Sequence, residues 1–311
     1  MLASLAGGAQ ELYPLTEPAS NVPKGVLGLR SINQGYSEPG GHFRFMNGLR
    51  AMYGLLPRLT VMATATASNH HSKDLPPSFP DHNTPQIGVP LPYRFNGVNV
   101  YAKYRFLSKD EEKQHLRMAA YAEYGFMKVA HDEGEPNLQE DTRGFGAGVI
   151  TTVLKDRFAA SLIGGFILPG NYKGVVPDFI PGLPGIPATV QYGKAVNYSL
   201  SLGYRLLPKV YRGYKEANVN LYIELLGKSY ERTQVFFDNI GSPGTPYEIK
   251  GAAVSVLNKN HYLEAHPGVQ VLLNSNLRVD ASVGFPVVRR SYAHYYPMYT
   301  LGIQRYFYFR R

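Results

Sequence analysis

The sequence predicts an all-β fold, a closed antiparallel transmembrane β-barrel of about twelve strands with a water-filled, net basic interior. Three observations carry that expectation. Apolar and polar residues alternate with period two, which sends successive side chains to opposite faces of a strand. The alternating runs are long: soluble strands average ~5–6 residues, whereas a tilted membrane strand needs ~9–11. Short and long connectors also alternate along the chain, as they do when tight turns lie on one side of a membrane and loops on the other.

Taken in order, Lys24–Asn33 and His42–Gly54 form the first hairpin across the loop Gln34–Gly41. The compact turn Leu55–Arg58 leads into Leu59–Ser68, and the long link Asn69–Pro92 into Tyr93–Phe106. A polar turn, Leu107–His115, precedes Leu116–Val129, whose polar face holds Arg117, Tyr121 and Glu123. After Ala130–Arg143 come Gly144–Lys155, the turn Asp156–Arg157 and Phe158–Leu168. The link Pro169–Gly193 precedes Lys194–Leu207, one of the clearest strands. There Val196, Tyr198, Leu200, Leu202, Tyr204 and Leu206 oppose Asn197, Ser199, Ser201, Gly203 and Arg205. Beyond the turn Pro208–Asn218, the run Val219–Arg232 sets Val219, Leu221, Ile223 and Leu225 against Asn220, Tyr222, Glu224 and Lys228. Thr233–Asn260 then leads to His261–Leu273, with Glu264, His266, Gly268 and Gln270 on its polar face. The turn Asn274–Asn276 joins it to Leu277–Val288, where Arg278, Asp280, Ser282 and Gly284 are polar. Arg289–Tyr296 and the last strand, Pro297–Phe309, complete the set. An even strand count puts both ends of the barrel chain on the short-turn side.

Composition agrees. The chain has 311 residues, 32 Lys and Arg against 23 Asp and Glu, and no Cys or Trp. Without Cys there are no disulfides and no thiolate metal sites. No run of ~18 apolar residues is present, so no transmembrane helix is expected, a rule that strands escape because only alternate residues need be apolar. Residues 1–9 read as a signal-peptide remnant or flexible N-terminus, with small residues at Gly7 and Ala9, and 10–311 as one barrel domain. The apolar stretch Val175–Ile186 is expected to pack within its own loop.

The last strand, Tyr299-Thr-Leu-Gly-Ile-Gln-Arg-Tyr-Phe-Tyr-Phe309, resembles the C-terminal insertion signal of bacterial outer-membrane proteins. It departs from that signal at Arg305, where an apolar residue is usual, and in the Arg310–Arg311 pair that follows. Val22-Pro-Lys-Gly-Val-Leu-Gly-Leu-Arg30, Gly54-Leu-Leu-Pro-Arg-Leu59 and Pro267-Gly-Val-Gln-Val271 resemble the outer-membrane barrels grouped with the meta-pathway phenol-degradation proteins. That resemblance implies transport of small organic molecules across the bacterial outer membrane, and it supplies no catalytic residues.

Assigning the polar faces to the lumen gives candidate lining residues: Arg50, Lys103, Arg105, Arg117, Glu123, Arg205, Glu224, Lys228, Glu264, His266, Arg278 and Asp280, with Arg30 and Arg44 beside them. Basic groups outnumber acidic ones, so some cations are expected to face water and favour anions. The opposing reading is an Arg–Glu lattice that braces a nearly closed barrel, since unpaired buried charge is costly. His266 and Glu264 share a strand face and suit acid–base work, but with no nucleophile nearby they read as part of the lumenal network. His70, His71, Asp74, Asp81 and His82 have ligand chemistry without a ligand spacing and read as solvated loop polarity. Gly144-Phe-Gly-Ala-Gly148 opens a strand rather than joining a strand to a helix, so it is no phosphate cradle, and its glycines are expected to admit neighbouring bulk.

The leading functional expectation is a channel or transporter for small anionic or organic solutes. The alternatives are an accessory barrel within a larger envelope complex and, behind it, a lipid-modifying enzyme. Expected partners are outer-membrane lipids, a small-molecule solute and, for the accessory reading, envelope proteins. No catalytic residue, metal, cofactor or nucleic acid is assigned.

Overall fold

The computed structural model describes residues 13–38, 41–69, 92–127, 143–176, 186–210, 216–237, 260–288 and 295–309. Its strands are β1 (Val26–Ser37), β2 (Phe43–Leu56), β3 (Leu59–Ser68), β4 (Arg94–Asp110), β5 (Gln114–Met127), β6 (Gly144–Lys155), β7 (Phe158–Pro169), β8 (Tyr172–Val176), β9 (Ile186–Gln191), β10 (Ala195–Leu207), β11 (Asn218–Tyr230), β12 (Gln234–Phe237), β13 (Asn260–Leu273), β14 (Leu277–Val288) and β15 (Met298–Tyr308). Twelve of them close into one barrel in the order β1-β15-β14-β13-β11-β10-β7-β6-β5-β4-β3-β2. Closure is antiparallel between the first and last strands, from Val26 opposite Tyr308 to Gly35 opposite Tyr299. A closed ladder leaves no unpaired backbone edge in the bilayer, where each unsatisfied group would cost several kcal/mol.

The turns follow from local chemistry. Asn274 and Ser275 have φ of 49° and 54°, the left-handed pair that a tight hairpin needs, and Asp156 has φ of 53° in the β6–β7 turn. These turns, Pro57–Arg58 and both ends of the barrel chain lie at one end, as expected.

Outward positions are apolar and exposed: Leu49, Val149, Leu162, Leu200, Leu221 and Leu301 among them. Aromatic residues gather where this belt meets the two interfaces. Phe43, Phe45, Tyr93, Tyr124, Phe126, Phe145 and Phe166 lie toward the long-loop end, and Tyr53, Tyr104, Phe158, Tyr204, Tyr308 and Phe309 toward the short-turn end. An apolar band between two aromatic girdles is the surface a bilayer selects. Arg305 faces outward near the short-turn rim, its guanidinium 5.4 Å from the Phe307 ring. From there a long side chain carries its charge into the headgroup region.

Two features differ from the sequence reading. β4 and β5 extend past the expected turn at Leu107–His115, pairing as far as Asp110 opposite His115. A register shift between Arg105 and Leu107 moves the faces, and Asp110 satisfies the polar end by accepting from Ser108, His115 and Arg117. Second, the links Pro169–Gly193 and Thr233–Asn260 are not wholly irregular: β8, β9 and β12 form a three-stranded sheet at the long-loop end. It has its own small core of Ala188, Val190, Tyr192 and Val235, with Phe237 packed on it. These runs are β-branched and aromatic but too short to cross a bilayer, so a length criterion set by membrane thickness passes over them. Residues 1–9, the His70–His82 group and most of the apolar Val175–Ile186 stretch lie outside the described residues.

Candidate functional site in the barrel lumen

The segment before β1 is the feature that sets the lumen's geometry. Tyr13-Pro-Leu-Thr-Glu-Pro-Ala-Ser-Asn-Val22 contains two prolines and no alternation, so it cannot add to the ladder. It lies inside the barrel instead, with Tyr13, Thr16, Glu17, Ala19, Ser20, Asn21 and Val22 all buried.

Its course can be followed by its bonds. Near the short-turn rim the Val22 amide donates to Thr60 Oγ1 at 3.0 Å on β3, and the Ala19 amide to Thr152 Oγ1 at 2.9 Å on β6. Arg117 on β5 donates to Ser20 Oγ at 3.0 Å. Further in, the Thr16 amide and hydroxyl donate to Glu224 Oε1 at 2.8 and 2.7 Å, and the Thr16 and Ser201 hydroxyls lie 2.8 Å apart. The chain then turns back. Tyr13 packs on Ala159, Tyr222 and Leu154, and its carbonyl accepts from Arg278 at 3.4 Å, at the second position of β14. The segment therefore enters at the short-turn end and bends inside the lumen, with its apex at Leu15–Glu17 and the Tyr13 ring packed back toward that end.

Glu17 is the electrostatic centre of the loop. Its Oε1 receives Arg50 at 2.6 Å and Arg30 at 3.2 Å, and its Oε2 receives Lys103 at 3.3 Å. Lys103 also donates to the Pro18 carbonyl at 2.6 Å, and Arg30 to the carbonyls of Tyr13 and Pro14. One carboxylate and several loop carbonyls thus answer three cations on β1, β2 and β4. All three are among the inward basic residues read from the strands, and the structure buries them against the loop.

The remaining candidates also sit on inward positions. Arg278 donates to Asp280 at 2.7 Å, and Gln270 donates to the same carboxylate at 2.9 Å. His266 lies 3.1 Å from Glu264, both fully buried, and the Tyr296 hydroxyl donates to Glu264. That makes the His–carboxylate pair a member of a network, as the sequence suggested. Arg44 pairs with Glu38 at 2.7 Å near the opposite mouth. Glu123 accepts from Asn99 at 3.2 Å. Arg105, Arg117 and Arg205 are half-buried toward the short-turn end, and Lys228 is buried toward the long-loop end.

Above the apex the lumen opens into a cavity of about 140 Å³. Leu15, Thr16 and Glu17 form its floor, and Tyr101, Tyr121, Ile163, Ile167 and Tyr262 supply most of its apolar wall. Asn99, Glu123, Asn197, Ser199, Lys228 and Glu264 add polar groups. Tyr101 and Tyr121 stack with centroids 5.1 Å apart and planes 14° from parallel. The glycines of the Gly144–Gly148 run do admit bulk: a Cβ on Gly146 would stand 2.6 Å from Glu123 Oε1, and one on Gly148 2.7 Å from the Tyr121 ring.

A closed barrel of this strand number, with an apolar belt, aromatic girdles and a polar interior, defines the class: this is an outer-membrane β-barrel. No family model matches the chain, and no curated protein sequence matches it significantly. Among solved structures it is similar to an outer-membrane channel from Pseudomonas putida F1, at 14% identity over 92% of this chain and 97% of that one, with a TM-score of 0.54. Looser likenesses are a monoaromatic hydrocarbon channel, at 8% identity, 93% and 90% coverage and TM-score 0.44, and the Pseudomonas putida toluene transporter, at 10% identity, 97% and 94% coverage and TM-score 0.35. At these identities the likeness is one of fold, and it agrees with the outer-membrane resemblance of the last strand.

Proposed function

We propose that this barrel is an outer-membrane channel for small organic solutes, with the re-entrant loop Tyr13–Val22 as its gate. The observation that carries the reading is the cavity above the loop apex. Its mixture of rings, aliphatic groups and a few fixed polar atoms is the usual make-up of a small-molecule site. Its volume of about 140 Å³ is the size that accommodates a single benzene ring, on the order of 150 Å³. A solute entering from the long-loop side meets the cavity first and the loop second. Passage then requires the loop to give way toward the periplasm, where its Val22 end already lies. The solved channel from Pseudomonas putida F1 supports the reading as a relative in fold.

The test is initial uptake of a labelled single-ring aromatic solute by bacteria with an intact outer membrane, with and without this chain. Faster uptake with the chain supports the reading, and equal rates count against it.

A preference for anions is a finer part of the same proposal. It rests on Arg105, Arg117, Arg205 and Arg278 at the periplasmic end of the lumen. Asp110 beside Arg117 and Asp280 beside Arg278 offset part of that charge, so the preference we expect is modest. A second reading, an accessory barrel in a larger envelope complex, draws on the ion-paired loop that fills the lumen. Absence of uptake even after the loop is loosened would favour it.

A further inference from the structure

One side chain in the cavity is held in a way that space-filling does not require. Tyr121 on β5, Gly148 on β6, Gly165 on β7 and Asn197 on β10 are successive register partners, one per strand. The Tyr121 ring lies across both glycines. A Cβ on Gly148 would stand 2.5 Å from the Gly164 carbonyl oxygen and 2.7 Å from the ring's Cε1, and one on Gly165 2.2 Å from the ring's hydroxyl oxygen and 2.6 Å from Asn197 Oδ1. At the far end of the row Asn197 Nδ2 donates to that hydroxyl at 3.2 Å. Glycine weakens a strand interior, so two of them side by side mark a place where something must approach the backbone closely. Here the approaching group is a ring that lines the cavity and stacks on Tyr101.

We infer that Tyr121 is a specificity-determining residue of the cavity, selecting flat aromatic rings over saturated rings of the same size. The inference rests on the reading of the cavity as a solute site. Two flat rings attract beyond the area they bury when they meet offset or edge to face, and a puckered saturated ring gains only the area term. The glycine notch and the Asn197 tether fix the Tyr121 ring before the solute arrives, so little side-chain freedom is lost on binding. Asn197 acts through Tyr121 and is a positioning residue.

The test compares benzyl alcohol with cyclohexylmethanol, which share a hydroxymethyl group and differ in the ring. Affinity is measured by saturation-transfer NMR on the full chain in lipid nanodiscs, with empty nanodiscs as the reference. The wild type is expected to favour benzyl alcohol by about two- to tenfold, the range that one ring–ring contact supports. Tyr121→Leu should abolish the preference, and Tyr121→Phe should keep it. Gly165→Ala, whose methyl displaces the Tyr121 hydroxyl and its Asn197 tether without removing the ring, should reduce the preference and stands in if Tyr121→Leu does not fold. Equal affinities in the wild type, or a preference that survives both Tyr121→Leu and Gly165→Ala, would overturn the inference and leave the cavity a solute site. Binding of neither alcohol would instead remove the solute-site reading itself, and this inference with it.

Discussion

Glu17 is a single acid whose removal reaches three strands and the loop. In the wild type Arg30, Arg50 and Lys103 converge on it in a buried setting. Taking away one partner of a buried ionic cluster leaves the others uncompensated, at a cost of about 3–5 kcal/mol. Glu17→Ala should therefore lower the stability of the barrel by that order in urea unfolding from lipid vesicles. Glu111→Ala, in the exposed β4–β5 turn, should change it by less than ~0.5 kcal/mol. Equal effects of the two would mean that the cluster contributes nothing to the fold. The inward residues read from the strands hold an excess of cations, some of them expected to face water, whereas the acid that answers three of them lies outside the strands. Glu17 is not among the residues read that way because it precedes the first alternating run, between Pro14 and Pro18, where period-two reasoning has nothing to work on.

The strands are where the sequence was most informative. All the long alternating runs became barrel strands, because burial on one face and lipid on the other is a rule that every second residue obeys. Leu200 and Ser199 show the rule at its sharpest, being neighbours on β10 with the first exposed to lipid and the second buried beside the cavity. An arginine at a mid-bilayer lipid position costs roughly 2–4 kcal/mol. Leu200→Arg should accordingly fold poorly into vesicles, while Ser199→Arg, which points into the cavity that Glu123 and Glu264 also line, should fold close to wild-type yield. If the two fold alike, the facing of β10 is wrong. The re-entrant loop and the small β8–β9–β12 sheet were illegible for a shared reason. Neither crosses the bilayer, so neither carries the length or the periodicity that the membrane imposes. The cavity was half legible: Tyr121, Glu123, Lys228 and Glu264 were placed inward from alternation alone, but Tyr101 and the Gly148–Gly165 notch depend on how neighbouring strands are registered, which a sequence does not state.

The whole molecule joins a ring-lined cavity toward the long-loop end to a loop that fills the lumen toward the short-turn end. Fixed arginines near the periplasmic end should make any ionic leak mildly anion-selective, and high salt should weaken that selectivity by screening. A reversal potential under a salt gradient reads this directly, and cation preference would contradict it. The central claim, that the loop is the gate, is tested most directly by fixing its apex. The Thr16 and Ser201 hydroxyls lie 2.8 Å apart, and the chain has no native cysteine to interfere. Thr16→Cys with Ser201→Cys places two thiols at that contact, and the measurement is aromatic-solute uptake by cells carrying the double variant before and after reduction. With the loop as gate, cells carrying the oxidised barrel should take up no more solute than cells without the chain, and reduction should restore uptake. Equal uptake by the oxidised and reduced forms, with the disulfide verified by mass, would show that solute passes without moving the loop.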